Sequence, residues 1–222
     1  MQLSFEYTPD ACNLLKRKLS SDRLGPYLAQ CDGDLALALR LYRWNTEMSA
    51  SLYSTLQGYE VLLRNSTHVA LTKIFARTDW WSSSTLRDRE RGDLEKATES
   101  IRSRGSQLSA GRVVAELSLG FWTNLYSNYY EQPFWIKGLR SIFPLKTDRK
   151  RLHERLESIK QLRNRVAHHE TLLRRDIAKD HGGLMDVIGW MSPNYRKWIA
   201  DQDTFAMYAA KCPMPVPAKD VS

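Results

Sequence analysis

Apolar residues recur at three- and four-residue steps through a long segment in the N-terminal third of the chain. The members of this series are Leu35, Leu37, Leu39, Leu41, Trp44, Met48, Leu52, Leu56, Tyr59, Leu63 and Leu71. Such spacing places apolar side chains on one face of an α-helix. The pattern therefore predicts two long helices, or one broken helix, opened by Asp32-Gly33-Asp34 and ending near Phe75.

The rest of the chain also carries helical signals. No window alternates cleanly with β-branched residues, so strand signals are almost absent. The predicted fold class is all-α, a helical bundle. Further helices are expected from Pro9 through Leu19 and over 22–30, the second with a kink or fresh start at Gly25-Pro26. The segment 85–104 is expected to be an exposed helix stopped by Gly105, and another helix should run from Ser109 through Tyr129. The remaining helices are expected from Thr147-Asp148 through Val166, over 175–190, where Gly182-Gly183 would break or loosen the helix, and over 193–210.

Bulk properties exclude several classes of protein. A chain of 222 residues that is 42% hydrophobic can bury a normal core, and no apolar run is long enough to span a bilayer. The N-terminus lacks a signal-peptide pattern, and Cys12, Cys31 and Cys212 have no metal-type spacing. We therefore expect a cytoplasmic protein with free thiols and no membrane partner. The net charge of +8 favours an anionic partner, most commonly nucleic acid.

The segment 163–170 concentrates chemically useful side chains. It reads Arg-Asn-Arg-Val-Ala-His-His-Glu, in a chain with five histidines in all. Histidine transfers protons near neutral pH, and arginine binds phosphate through paired hydrogen bonds. On a helix, Asn164 and His168 would lie four residues apart, nearly opposite the apolar stripe that ends at Val166. A solvated surface and a helix-dipole contact are the structural alternatives to a catalytic site.

Other segments offer weaker candidates. Glu60 and Arg64 have the spacing of an ordinary helix ion pair, but with Asn65 they could instead line the same pocket as Arg163. The basic runs 149–151 and 174–175 flank the histidine segment and suit contact with phosphates. The aromatic residues between 121 and 135 have the helical spacing of a core, with base stacking as the alternative. The sequence contains no phosphate loop, HExxH or GxSxG motif and no obvious metal ligand set.

Four blocks in the chain resemble the Abi-like, abortive-infection branch of the HEPN superfamily of helical nucleases and toxins. They are Trp44-Asn45, then Leu56-Gln57-Gly58-Tyr59-Glu60 followed by Arg64-Asn65, then Leu119-Gly120-Phe121-Trp122, and finally 162–170, in which Arg163-Asn164-x-x-x-His168 matches the superfamily signature. The resemblance covers residues 34 to 200, approximately. It implies a HEPN-like helical bundle with additional helices at 34–212. The residues on either side carry no motif of the family, and we expect them to form an N-terminal helical extension at 1–33 and a Pro-rich flexible tail at 213–222.

The resemblance also implies an activity, a metal-independent endoribonuclease of antiphage defence without a cofactor. The ribose 2′-hydroxyl would attack the adjacent phosphate, with His168 as acid or base, Arg163 stabilising the phosphate and Asn164 orienting it. Since this chemistry needs an acid and a base, a homodimer with a composite site is expected. Residues expected to contact RNA are Glu60, Arg64, Asn65, Arg165 and His169.

Three hypotheses remain open from the sequence. The first is the RNA-cleaving defence effector, restrained by an antitoxin or a regulatory RNA. The second is a non-catalytic protein that holds a structured small RNA in the same basic pocket. The third is a helical module that binds only protein. The intact set of Arg163, Asn164 and His168 favours the first.

Overall fold

The computed structural model describes residues 5–83 and 85–214, and throughout these ranges the protein contains helices and connecting turns but no strand. The predicted all-α class is therefore confirmed. The predicted Pro-rich tail lies outside the described residues from position 215 onward. The α-helices are α1 Pro9–Leu19, α2 Ser21–Gln30, α3 Leu35–Phe75, α4 Asp88–Ser103, α5 Ala110–Glu116, α6 Leu119–Asn124, α7 Arg149–Ala167, α8 Ile177–Met191, α9 Pro193–Asp201 and α10 Phe205–Ala209.

The long apolar series forms one helix, since α3 runs for 41 residues without interruption. The prediction of two helices or a broken helix was wrong. Packing at Gly58 shows how the helix stays continuous through a residue with low helix propensity. A β-carbon at position 58 would overlap the side chain of Ile199, and the Tyr195 hydroxyl donates to the Gly58 carbonyl at 3.2 Å. The glycine lets α9 approach closely, and packing against Ile199 offsets its helix cost of about 1 kcal/mol.

Other boundaries also differ from the prediction. The helix expected from Ser109 to Tyr129 is two helices, because Leu117 is extended and Ser118 caps α6 by accepting the Phe121 amide at 3.3 Å. The helix expected over 193–210 is likewise divided into α9 and α10. By contrast, α2 continues through Pro26, and α8 continues through Gly182-Gly183. In α8 the burial of Leu184, Met185, Val187 and Ile188 outweighs the helix cost of the glycines.

The polar helix α4 ends as predicted, since Gly105 follows it with a φ of 66°. It is not exposed all round, because Glu90, Leu94, Ala97 and Ile101 are buried at three- and four-residue steps. The Glu90 carboxylate accepts from the Tyr130 hydroxyl at 2.6 Å and from the Asn124 amide at 3.3 Å. These two bonds compensate the buried charge.

The chain divides into two compact units, and α3, α7 and α8 each pass from one to the other. The first unit contains the described parts of Met1–Ser54, Arg165–Lys179 and Asp203–Ser222, with Cys12, Leu24 and Leu39 in a core cluster of α1, α2 and α3. The second unit contains Thr55–Asn164 and Asp180–Gln202. The division predicted at residues 33 and 34 stays a prediction.

Aromatic side chains fill the core of the second unit. The buried rings there include Trp80, Phe121, Trp122, Tyr126, Tyr130, Phe134 and Trp135. Tyr130 and Phe134 stack with ring centroids 4.8 Å apart, whereas Tyr129 is exposed. The structure therefore places these residues in the core, as their spacing indicated, and leaves only Tyr129 available to a ligand. Across the described residues, no helix combines the length and apolar character needed to cross a membrane.

Candidate active site at the end of α7

The helix α7 carries the candidate catalytic segment at its C-terminal end. It begins after Asp148, whose Oδ1 accepts the Arg151 amide at 2.8 Å. The predicted apolar stripe is buried along its whole length, at Leu152, Leu156, Ile159, Leu162 and Val166. This burial fixes the rotation of the helix, and Asn164 is consequently exposed.

The last turn of α7 closes with a Schellman arrangement around the two histidines. The Glu170 amide donates to the Arg165 carbonyl at 2.8 Å, and the His169 amide donates to the Val166 carbonyl at 3.2 Å. His168 is thus the first residue after α7 and not a member of its last turn, which corrects the expected helical stacking of His168 on Asn164. Both histidine side chains are exposed.

His169 occupies the position at which such motifs usually carry glycine. Its φ is 57°, in the left-handed region, which costs a residue with a β-carbon about 1–2 kcal/mol. The chain tolerates this strain because the surrounding hydrogen bonds fix the turn. We infer that the position of the histidine pair is set by the backbone of the turn.

Two side chains of the first unit hold the segment that follows the histidines. Asn45 is buried; its Oδ1 accepts the Leu172 amide at 2.8 Å, and its Nδ2 donates to the Glu170 carbonyl at 3.5 Å. Arg165 donates Nη1 to the Thr171 carbonyl at 3.3 Å and lies 3.4 Å from the Glu170 carboxylate. Arg165 was expected to contact RNA, and the structure shows that its guanidinium already holds this segment. Asn45 was absent from the predicted site residues. The sequence feature that could have indicated its role is its place in the Trp44-Asn45 block.

Arg163 has its partner on α3. Its Nε donates to Oε2 of Glu60 at 3.3 Å, and the two side chains are 36% and 22% exposed. Glu60 therefore pairs with Arg163 and not with Arg64, although Arg64 has the correct spacing on its own helix. The structure brings Glu60 and Arg163 together, and about a third of the Arg163 side chain remains exposed.

Arg64 and His68 continue the row that Glu60 begins, at four-residue steps along α3. The Nε of Arg64 is buried, and within the described residues it has no hydrogen-bond partner, whereas Asn65 is exposed. His68 accepts the Trp80 indole N–H on Nδ1 at 3.1 Å, and burial lowers its pKa from the ordinary value. His68, which the sequence left without a role, thus holds Trp80 as a neutral acceptor.

The basic runs beside the segment differ in availability. Arg149 is only 10% exposed; it donates to the Tyr126 carbonyl at 3.0 Å and to Asn128 Oδ1 at 3.1 Å, and it forms an ion pair with Glu131. It serves the structure and cannot reach a phosphate without breaking these bonds. Lys150, Arg151 and Arg174 are exposed. Within the ranges 5–83 and 85–214, no three His, Cys, Asp or Glu side chains are grouped as metal ligands.

Comparisons of the chain with models of protein families, with curated proteins and with solved structures find no match. The resemblance carried by the four sequence blocks is therefore the basis for any family assignment, which stays a prediction. The second unit offers a partly exposed Arg163 side chain that is oriented by the Glu60 carboxylate. The first unit offers the exposed imidazole of His168, which follows the last residue of α7.

Proposed function

We propose that this protein is a metal-independent endoribonuclease of the Abi-like branch of the HEPN superfamily, acting as an antiphage defence effector. In the proposed reaction the ribose 2′-hydroxyl attacks the adjacent phosphorus, and the 5′-oxygen of the next nucleotide leaves. The products are a 2′,3′-cyclic phosphate and a 5′-hydroxyl. Arg163 stabilises the negative charge on the phosphate, His168 transfers a proton, and Asn164 orients the phosphate.

The observation that carries the proposal is the state of Arg163. A buried, fully paired arginine would be a structural residue, and a free one would lack orientation. The Arg163 side chain is instead 36% exposed, and its guanidinium is held by a single hydrogen bond to Glu60. Preorganised donors that remain accessible are the groups expected to stabilise a transition-state phosphate. His168, five residues further along the chain, is exposed.

One histidine cannot be both the acid and the base in a single turnover. We propose that a second copy of the chain supplies the other histidine, so that the active enzyme is a homodimer with a composite site. A nuclease of this kind needs restraint in the cell, by an antitoxin or a regulatory RNA. We place it in the cytoplasm, where RNA is the substrate and the free thiols of Cys12, Cys31 and Cys212 persist.

The test is cleavage of total bacterial RNA by purified protein in the presence of EDTA. Wild type is compared with His168→Ala and Arg163→Ala, and with Arg17→Ala as an exposed arginine of α1 outside the site. We expect wild type and Arg17→Ala to leave cyclic phosphates, with both site variants at least about 100-fold slower. Light scattering gives the oligomeric state of each sample. Intact RNA with the wild-type protein contradicts the proposal.

One observation favours a second candidate, a non-catalytic protein that binds a structured small RNA. Within the described residues, the His168 side chain makes no hydrogen bond, so no side chain fixes its tautomer. A binding protein would need the guanidiniums of Arg64 and Arg163 but not this imidazole. It would keep its RNA affinity in His168→Ala, lose it in Arg64→Ala and Arg163→Ala, and leave the RNA intact.

A further inference from the structure

The two adjacent tryptophans that follow α3 have opposite environments. Trp80 is fully buried and donates its indole N–H to His68. Trp81 is half-buried and lines an open cavity of 620 Å³ on α4. Its ring is held by Trp80, with centroids 5.3 Å apart, and by His68, with centroids 6.0 Å apart. A fixed indole at a cavity wall can stack on a planar ligand.

The opposite wall of the cavity is one strip of α4. It carries Arg91, Glu95, Glu99 and Arg102, which lie within about 80° of one another around the helix. Arg91 has only a 3.6 Å contact with exposed Asp88. The other three residues are exposed, and in the part of the chain that the structure describes their side chains make no hydrogen bond or ion pair. All four charges are therefore available to a ligand.

The order of the charges along α4 indicates the chemistry of that ligand. Two carboxylates occupy the middle of the strip, and one guanidinium lies at each end. Carboxylates accept hydrogen bonds from the amino and imino groups of nucleobases, whereas guanidiniums bind phosphates. Arg91 and Arg102 are separated by roughly 16 Å along the helix axis. A strip of this length suits a short single-stranded segment, with phosphates at its ends and a base edge at its centre.

We propose that the cavity between Trp81 and α4 binds single-stranded RNA and selects a base that carries an amino group, guanine above all. The base stacks on Trp81, and its edge donates to Glu95 and Glu99. Guanine presents an imino and an amino donor side by side, which matches one carboxylate. Uracil has no amino group and directs carbonyl oxygens at the carboxylates, so the site disfavours it. This inference rests on the proposed action on RNA.

The position of the cavity relates it to the candidate active site within the second unit. Glu60, Arg64 and His68 form one row on α3, which begins at the partner of Arg163 and ends at the residue that contacts Trp81. The row covers about 12 Å along the helix axis. One RNA strand following it would place a nucleotide in the cavity while a phosphate meets Arg163. The cavity then determines which base lies near the cleaved bond.

The test measures fluorescence anisotropy with two labelled pentaribonucleotides, UUGUU and UUUUU. The protein carries His168→Ala throughout, so that neither oligonucleotide is cleaved. We expect UUGUU to bind roughly tenfold more tightly, since a bidentate base contact discriminates by about that factor or more. Glu95→Gln and Glu99→Gln remove most of the discrimination. Trp81→Ala weakens UUGUU binding roughly tenfold or more, and Trp81→Phe retains most of it.

Two further variants control for charge and for folding. Arg102→Ala weakens both oligonucleotides, whereas Arg89→Ala, exposed on the opposite face of the same helix, has a smaller effect. Circular dichroism checks that Trp81→Ala keeps its helices. Equal affinity for the two oligonucleotides, or unchanged binding in Trp81→Ala and Glu99→Gln, overturns this inference.

The outcome for the cavity is separable from the outcome for the nuclease. If wild-type protein does not cleave RNA but discriminates UUGUU through Trp81 and Glu99, the cavity site stands and the nuclease proposal fails. If Trp81→Ala, with His168 intact, cleaves RNA at the full rate and with the same base preference as wild type, the nuclease stands and the cavity site fails.

Discussion

Arg163 on α7 donates its Nε–H to the Glu60 carboxylate on α3 at 3.3 Å, and this bond orients the candidate phosphate-binding group. The pair is partly exposed, so its contribution to the free energy of unfolding is small, below about 1 kcal/mol. Its electrostatic effect on a phosphate is larger, because the carboxylate opposes an incoming anion while it holds the guanidinium. Glu60 therefore stabilises the position of Arg163 at the expense of ground-state affinity for RNA.

We predict that Glu60→Gln increases the affinity for RNA several-fold and decreases the rate of cleavage. Removing the negative charge favours phosphate binding, and losing the carboxylate leaves Arg163 less well oriented. Anisotropy at two salt concentrations and single-turnover cleavage measure the two effects. Glu47→Gln is the matched control, because Glu47 also pairs with an arginine, Arg43, roughly 20 Å earlier along α3. Equal effects of the two substitutions would contradict a specific role for Glu60.

A second prediction concerns the strained turn after α7. We expect His169→Gly to raise the free energy of unfolding by about 0.5–1 kcal/mol, because relief of the left-handed strain exceeds the entropy that glycine adds to the unfolded chain. The melting temperature should rise by roughly 1–4 °C. His168→Gly is the control, since its φ is not positive and glycine there only adds unfolded entropy. Destabilisation by both substitutions would contradict the assigned strain.

The His169→Gly variant also tests the expected role of His169 in binding RNA. If His169→Gly is more stable but binds RNA more weakly, the imidazole contacts the nucleic acid. If its affinity equals that of wild type, His169 only occupies the turn. The two roles are separable because stability depends on the backbone and affinity on the side chain.

A third prediction concerns Asn45, which is 4% exposed and bonds to the backbone on either side of Thr171. Asn45→Ala should lower the free energy of unfolding by about 1–3 kcal/mol, because it leaves the Leu172 amide without its acceptor. Hydrogen exchange of that amide should accelerate more than exchange in the middle of α7. Asn65→Ala, on the exposed side of α3, is the control and should change neither quantity. Unchanged protection of Leu172 would show that another group holds the segment.

The periodic part of the structure could be predicted from the sequence. The stripe from Leu152 to Val166 is buried as its spacing required, and the aromatic residues from Phe121 to Trp135 form a core. Helix propensity and burial of one face act locally, so a sequence pattern records them. The exposure of Asn164 followed from the same rotation of α7.

The remaining features depend on contacts between residues distant in the sequence. Ile199 packs on Gly58 from another helix, and α3 continues without the predicted break. Glu60 had a partner at the ideal spacing in Arg64, and it pairs with Arg163 instead. Tertiary packing determines whether a helix continues and which residues pair, and the local spacing of residues does not encode it. Asn45 was overlooked for the same reason, since its role depends on which segment lies against it.

The last prediction concerns pH and the bond between His68 and Trp80. Burial lowers the pKa of His68 below its ordinary value of 6.5, and Nδ1 must be unprotonated to accept the indole N–H. The unfolded chain therefore binds a proton at higher pH than the folded protein does. The free energy of unfolding is at its full value above pH 6.5 and falls as the pH decreases toward the folded pKa.

Urea unfolding at about pH 7.5 and about pH 5.5, on either side of the ordinary histidine pKa, measures this loss. His68→Gln should flatten the dependence, because an amide oxygen can still accept from Trp80 but does not titrate. Part of the slope should remain, since burial also lowers the pKa of His153, with Arg149 and Lys160 acting in the same direction and Glu157 opposing them. His168→Gln, an exposed control, should retain the wild-type slope. If His68→Gln instead keeps the full pH dependence, protonation of other groups destabilises the fold and His68 is only a packing residue.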